Sequence, residues 1–490
     1  MWNSMSSSYD VIQSELSINL DILPFKIFFA FFYGGLSGIV TFSGLYYKEI
    51  GLQAHEIGFI SGVRHACAIV ILPLIGPITD LKNYRRAFLM VFIVMFACAS
   101  TPVGFVPKPE SCCKSTSNVS NVTTTSCYKI RPNDDGDSCC RLTLSNNDPQ
   151  ELGYIQSDVL KVFIVICVLN GLGELSWMPI RIIGDVSLSQ ALGSHSDRYG
   201  TSKVFGSIGS AIFTLFVGYF IDLKTITTKQ CGIEVQQHNY SYIYISNAVL
   251  MFLSLLTVAC CLKLNGEEED EDEENSKRTH SWKYYFTPFL KFNFFKLYVI
   301  SFLFGTLKAS SLNTFAYIHL REVGGSNFLI GAASSIGPVF GILSGFASTF
   351  LIRQFKHYLL CATFAASAFV MFMYSLLDRA NWLVLIAAIL QGAALVIEWN
   401  VCVFLMRQII ADNQAGAVYS IMTLTSKIGK LISSVFAGYL YSTFGPVWLF
   451  RIFAFIAVLS IIISCMSTAS ISYVSIDEDK EETNKIKNSF

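Results

Sequence analysis

Charge is what this chain has least of. Only 14% of its 490 residues are Asp, Glu, Lys or Arg, 52% are hydrophobic, and the mean hydropathy is +0.50. A soluble chain of this length carries far more surface charge. The 35 basic residues balance the 35 acidic ones, so no basic excess exists to hold nucleic acid. No GxxxxGK-Ser/Thr loop is present, which argues against ATP-driven work, and neither HExxH nor GxSxG occurs. No enzyme constellation and no cofactor is therefore expected. A cleavable leader is also missing: residues 1–24 are polar, hold Asp10, Glu15 and Asp21, and offer no basic stretch before an apolar core. The first apolar helix, from about Phe25, then acts as an uncleaved anchor.

What the chain has is long apolar runs. A hydrocarbon core of roughly 30 Å takes about 20 apolar residues per helix. About twelve such segments are present, near 25–47, 56–79, 86–106, 158–180, 201–222, 241–263, 292–319, 328–351, 357–377, 381–405, 416–442 and 446–468. The weak boundaries are 292–319, interrupted by Lys308, and 416–442, interrupted by Lys427 and Lys430. The expected fold is an all-α multi-pass membrane protein of two six-helix bundles. Its parts are an N-terminal tail (1–24), a first bundle (25–263) with a Cys-rich loop at about 106–157, an acidic linker (264–291), a second bundle (292–468) and a C-terminal tail (469–490).

The two bundles repeat each other. Setting Gly209 on Gly429 brings Gly218-Tyr219 onto Gly438-Tyr439 and Tyr199 near Tyr419, an offset of about 220 residues. Ile57-Gly58 and Ile330-Gly331 are offset by about 273, and the difference of about 53 is the size of the Cys-rich loop that only the first half carries. Parallel repeats place a binding site between two halves that can rock.

An even number of crossings puts both termini on one side. Lys82, Arg85, Arg86, Arg198, Lys203, Arg353, Lys356 and Arg407 flank helices on that same side, which makes it cytoplasmic. The acidic run at 267–274 reads as a solvated linker. The sequons at Asn118, Asn121 and Asn239 fall in loops on the opposite side. So do Cys112, Cys113, Cys127, Cys139, Cys140 and Cys231, which in an oxidising compartment read as up to three disulfides of open pairing. The larger loop holds no histidine, so a metal site is not expected there. The remaining eight cysteines lie in apolar helices as packing residues. The location that follows is the plasma membrane or a secretory or endolysosomal membrane.

After the second apolar segment the chain reads Gly76-Pro-Ile-Thr-Asp80-Leu-Lys82-Asn-Tyr-Arg85-Arg86. This resembles the signature loop of the major facilitator superfamily: a glycine, three residues, an acid, a base and a basic pair. Leu81 departs from the pattern, since a base usually follows the acid directly. The run Leu192-Gly193, Arg198-Tyr199-Gly200 and Gly206-Ser-Ile-Gly209 is similar to the branch of lactose-permease-like proteins and of the major facilitator superfamily domain-containing protein 6. The resemblance implies alternating access, a gate at Gly76, Asp80, Lys82, Arg85 and Arg86, and a cavity nearest helices 1, 4, 7 and 10. It implies no particular substrate.

Charges inside the apolar segments carry the functional signal, because each costs at least roughly 2.5–3.5 kcal/mol at the bilayer centre. Glu174 and Glu398 sit at similar depth in helices 4 and 10, beside Trp177 and Trp399. Arg64, Lys308, Lys427 and Lys430 are the cationic candidates. Glu398 is expected to pair with Lys427 or Lys430, to be protonated, or to meet substrate. His319 is expected at the interface, and Arg451 is expected to snorkel outward. The tryptophans offer a stacking platform or plain packing.

These residues point to a secondary transporter for a small polar or amphipathic solute, with Glu398 first and Glu174 second as proton-coupling candidates. Its partners would be the lipid bilayer, the solute, a proton and an extracellular protein at the Cys-rich loop. The alternative is a non-transporting receptor or adhesion protein on a transporter scaffold.

Overall fold

The computed structural model describes residues 22–80, 84–119, 122–129, 140–142, 150–192, 199–230, 233–262, 292–355, 358–409 and 415–487. The first half holds α1 (Leu23–Glu49), α2 (Ala54–Asp80), α3 (Arg85–Ser100), α4 (Gln156–Leu192), α5 (Tyr199–Leu223) and α6 (Ser241–Cys260). The second holds α7 (Phe292–Leu307), α8 (Ser310–Glu322), α9 (Asn327–Phe355), α10 (Tyr358–Tyr374), α11 (Leu383–Ile409) and α12 (Ala415–Lys487). Nine described helices are long and apolar enough to cross a membrane. One of them, α12, is two crossings in line, bent at Gly445 (φ 82°), where an L side chain would be strained. With the shorter α10 and the split α7–α8 pair the crossings among the described residues number twelve.

The seventh crossing departs from the single apolar run expected at 292–319. It is two helices, because Ala309 adopts an extended backbone (φ −64°, ψ 131°) directly after Lys308. The break comes directly after Lys308, whose amide still donates to the Phe304 carbonyl at 2.9 Å, at the depth where its charge needs a partner.

The expected polar loop between α3 and α4 contains strands. Those are β1 (Ser111–Val119), β2 (Val122–Lys129), β3 (Cys140–Leu142) and β4 (Gln150–Ile155), an antiparallel sheet in the order β2-β1-β4-β3. A hairpin of β5 (Ile226–Gln230) and β6 (Ile233–Gln237) joins α5 to α6. Both sheets lie at one end of the bundle, called here the sheet end. The Tyr154 hydroxyl at the end of β4 donates to the Glu49 carbonyl at 3.0 Å, which ties the larger sheet to the α1–α2 turn. Cys139, Cys231, Asn121 and Lys82 lie outside the described residues. So do the side chains of Cys112, Cys113, Cys127, Cys140, Asn118 and Asp80, and the surroundings of Gly76.

The glycines that betray the repeat are contact points. A Cβ on Gly429 of α12 would lie 2.4 Å or so from the Phe302 carbonyl of α7, and Gly209 of α5 meets the Ala30 backbone of α1 in the same way. The second pair joins the halves. A Cβ on Gly218 of α5 would lie 2.7 Å from the Asn327 carbonyl of α9, and one on Gly438 of α12 would lie 2.7 Å from the Ala54 carbonyl of α2. Gly58 faces Gly438 across that seam, 2.8 Å from its Cα by the same measure, as Gly331 faces Gly218 at 3.5 Å. Only residues without a side chain let these backbones approach.

Polar contacts seal the same end. Lys48 of α1 pairs with Glu322 of α8 at 3.4 Å. Asp222 at the foot of α5 accepts hydrogen bonds from the Asn327 amide (3.2 Å), the Asn327 side chain (2.8 Å) and the Phe328 amide (2.7 Å), so a carboxylate of one half sits on the positive N-terminus of a helix of the other. Asp222→Ala should therefore lower the closed population at the sheet end by about fivefold, the equivalent of a lost N-terminal cap of ~1 kcal/mol. Spin labels on Lys224→Cys and Arg379→Cys, exposed on the two halves, would report it as a longer distance.

His238, between β6 and α6, joins this seal. Its Nε2 lies 2.6 Å from Arg321 of α8. Burial first and the Arg321 charge second push its pKa from 6.5 down to about 4. Because the closed form disfavours the protonated ring, the contact is fully present above pH 6.5 and weakens as pH falls toward 4.

Candidate functional site

At mid-depth five of the six charged side chains cited for coupling separate into two groups. In the first, Glu174 of α4 is buried and takes two cations from different halves. Arg64 of α2 donates to it through Nε and Nη2, both at 3.3 Å. Lys427 of α12 pairs with it at 3.8 Å. In the second, Glu398 of α11 is fully buried and lies 3.7 Å from Lys308 at the α7–α8 break. Lys308 Nζ donates to Ser367 of α10 at 2.8 Å. Neither carboxylate oxygen of Glu398 accepts a hydrogen bond among the described residues.

This corrects the expected pairing of Glu398 with Lys427 or Lys430. Lys427 serves Glu174, and Lys430 makes no carboxylate ion pair among the described residues, its Nζ lying over the Phe304 ring at 5.8 Å from the centroid. Counting residues from a helix end fixes depth but not which neighbour a side chain faces. The Lys308 side is chosen because the break carries its ammonium toward α11.

Trp177 lies between two cations, Lys427 at 5.6 Å and Arg181 at 5.9 Å from its ring. Trp399 packs on Phe304 and Tyr419, with centroids 5.4 Å and 5.8 Å apart. The tryptophans are thus dissimilar: one braces charge and the other packs in an aromatic stack. His65, one residue after Arg64, is buried with both ring nitrogens unpartnered among the described residues. A small internal cavity of about 20 Å³, room for a water, lies beside Arg64 and Glu174.

Sequence reasoning missed the uncharged members. Asn170 of α4 donates to the Tyr47 hydroxyl of α1 at 2.8 Å. In the second half, Gln391 of α11 donates to Asn313 of α8 at 2.8 Å and accepts from Tyr374 at 2.8 Å. Amide side chains within apolar helices were the available signal. They join α1 and α4 in one half and α8 and α11 in the other, which are the first and fourth crossings of each repeat. His319 is not interfacial: it is buried, with Nε2 3.2 Å from Asp378. Arg451 is exposed over the Trp448 ring.

Of the gate motif, Arg85 is buried and donates to Gln190 of α4, and Arg86 donates to the Val258 carbonyl (3.3 Å) and to the Ala259 carbonyl at the end of α6. Both contacts stay within the first half, where Arg86 satisfies carbonyls that α6 cannot. Nearer the centre, Lys203 pairs with Asp185 at 2.6 Å, and Arg181 lies 4.0 Å from the same carboxylate.

Two like bundles of six crossings, with ion pairs buried where they meet, define a multi-pass membrane protein of the transporter type. The model of the MFS_1 like family matches residues 22–452, and the chain belongs to that family, within the major facilitator superfamily. Among solved structures, it is similar to the nucleoside transporter NupG (TM-score 0.65, 13% identity, 92% of this chain and 99% of that one). It is also similar to a D-xylose-proton symporter (0.59, 12%, 91% and 96%) and to the inward open xylose transporter XylE from E. coli (0.59, 13%, 91% and 95%). At such identities the likeness is one of fold.

Proposed function

We propose that this protein is a secondary transporter that moves a small solute by alternating access, coupled to a proton at Glu398. The carrying observation is Glu398 itself: a fully buried carboxylate, both oxygens without a hydrogen-bond donor among the described residues, facing one lysine at a helix break. Lys308 is the charged group that acts on it. A fixed structural pair would be expected to satisfy its carboxylate more fully, because burying two ions costs more than loose pairing returns. Here the pair can be neutralised by one proton, and the break lets Lys308 move away. Glu174 supplies the link between halves, since its Lys427 contact must part when the first and second bundles rock. The sheet-end seal describes the molecule closed on that side, and release of the seal requires Gly58 and Gly218 to leave their partners. The solutes named for the similar structures, nucleosides and xylose, are small and polar, which supports a small polar solute here.

The test uses the full chain in proteoliposomes with an alkaline interior and a labelled metabolite mixture outside. At least one solute should accumulate above empty liposomes, and a protonophore should collapse the gradient. No accumulation by a correctly inserted protein would instead favour the receptor reading.

The sheet end is placed outside the cytoplasm on the same reading. Asn239, exposed beside the β5–β6 hairpin, is then open to glycosylation. An N-glycosidase should speed the gel migration of protein from eukaryotic cells, and the Asn118→Gln/Asn121→Gln/Asn239→Gln variant should run unchanged by the enzyme. Glycans on an acceptor site inserted in the 267–274 run would invert the topology.

A further inference from the structure

The centre of the molecule holds more positive charge and more hydrogen-bond donors than its own residues can use. Five cations converge from four helices: Arg64 of α2, Arg181 of α4, Lys203 of α5, and Lys427 and Lys430 of α12. Among the described residues two carboxylates answer them. Glu174 serves Arg64 and Lys427, and Asp185 serves Lys203 and Arg181. Lys430 has the Phe304 ring and no carboxylate among the described residues, and it feels the like charges of Lys427 and Arg181. Glu398 cannot supply the balance, because it is committed to Lys308.

Two further groups repeat the imbalance. His65 is buried among Arg64, Lys427 and Lys430, and neither of its ring nitrogens has a partner among the described residues. The indole N–H of Trp177, between Lys427 and Arg181, is a buried donor without an acceptor among the described residues. An uncompensated cation in a membrane interior is costly, and a buried donor left unpaired adds to the cost. An anion carrying several acceptor oxygens would satisfy Lys430, His65 and Trp177 together, and it would touch both halves at once because Lys430 belongs to one and His65 and Trp177 to the other.

We infer that the solute of the central site is an organic anion whose carboxylate or phosphate group is held by Lys430, with His65 and Trp177 beside it. The inference rests on the transport reading and narrows its substrate class. The occupant's negative charge would also draw Lys427 away from Glu174, so that solute arrival and the contact between halves are linked.

The test is binding to the purified full chain in lipid nanodiscs, followed by thermal stabilisation over a range of concentrations. The probes are acetate, succinate, benzoate, glycerol phosphate and inorganic phosphate, with benzyl alcohol and benzylamine as neutral and cationic counterparts of benzoate. At least one organic anion should stabilise saturably, and benzyl alcohol and benzylamine should not. Lys430→Met should weaken that anion about tenfold to a hundredfold, the range for one lost charge-assisted bond. Lys430→Arg should stay within a few fold, and Lys430→Gln gives a second uncharged variant should Lys430→Met fold poorly. Saturation by inorganic phosphate alone, equal binding of benzyl alcohol, no response to any anion, or full affinity in both uncharged variants would overturn the inference. Proton-driven accumulation of a neutral solute would also overturn it, while leaving the transport reading intact.

Discussion

Glu398→Gln is expected to abolish proton-driven accumulation, to the level of empty liposomes, while solute exchange at equal pH on both sides stays within about threefold. Glutamine keeps the shape of the side chain but cannot take up or release a proton. Exchange needs no net proton movement, so it survives. The substitution also leaves Lys308 buried with Ser367 as its hydrogen-bond partner among the described residues. Removing one member of a buried pair costs roughly 3–5 kcal/mol, so expression should fall. Lys308→Met in the same chain removes the orphaned charge and should restore expression without restoring accumulation. That separation of folding from coupling is the diagnostic result. Accumulation that persists in Glu398→Gln with an unchanged pH profile would sink the coupling role, and rescue of accumulation in the double variant would reduce the pair to a structural one.

Gly58→Val should hold the sheet end open and slow turnover by at least tenfold. Its Cβ would lie 2.6 Å from the Ser434 carbonyl and 2.8 Å from the Gly438 Cα, both backbone atoms with no rotamer by which to yield. Overpacking of this kind costs about 1–3 kcal/mol where neighbours can adjust, and here they can adjust only by parting the two halves. Gly218→Val makes the same test on the α5–α9 seam, where the Asn327 carbonyl lies 2.7 Å away. The labels at 224 and 379 should lengthen in both variants. Gly200→Ala, at a position with nothing within 4 Å, is the control. Unchanged distances in Gly58→Val with normal turnover would show that this seam does not close in the cycle.

Those glycines also explain what the sequence made legible. The repeat could be read at Gly209, Gly429, Gly218 and Gly438 because a backbone-to-backbone contact dictates the residue type whatever surrounds it. The buried charges were legible for a related reason: a lipid interior leaves few other grounds for Glu174 or Glu398. Partner choice was not, because depth follows from residue count but the direction a side chain faces depends on helix rotation and on the break after Lys308. Ser367, Asn313 and Gln391 were missed because a single uncharged polar residue in an apolar helix is inexpensive and common. The strands at 111–155 were hidden by a run of cysteine, serine and threonine with no clean alternation of apolar residues.

The two sheets have a mechanical consequence. Both belong to the first half, whereas the second half reaches the same face with the turn at Gly324, the stretch between α10 and α11, and the bend at Gly445. An antibody that grips only β1–β4 would therefore ride on one half as a passenger. It would bind the protein without arresting it, and only a binder broad enough to straddle onto the Gly445 bend would act as a brake.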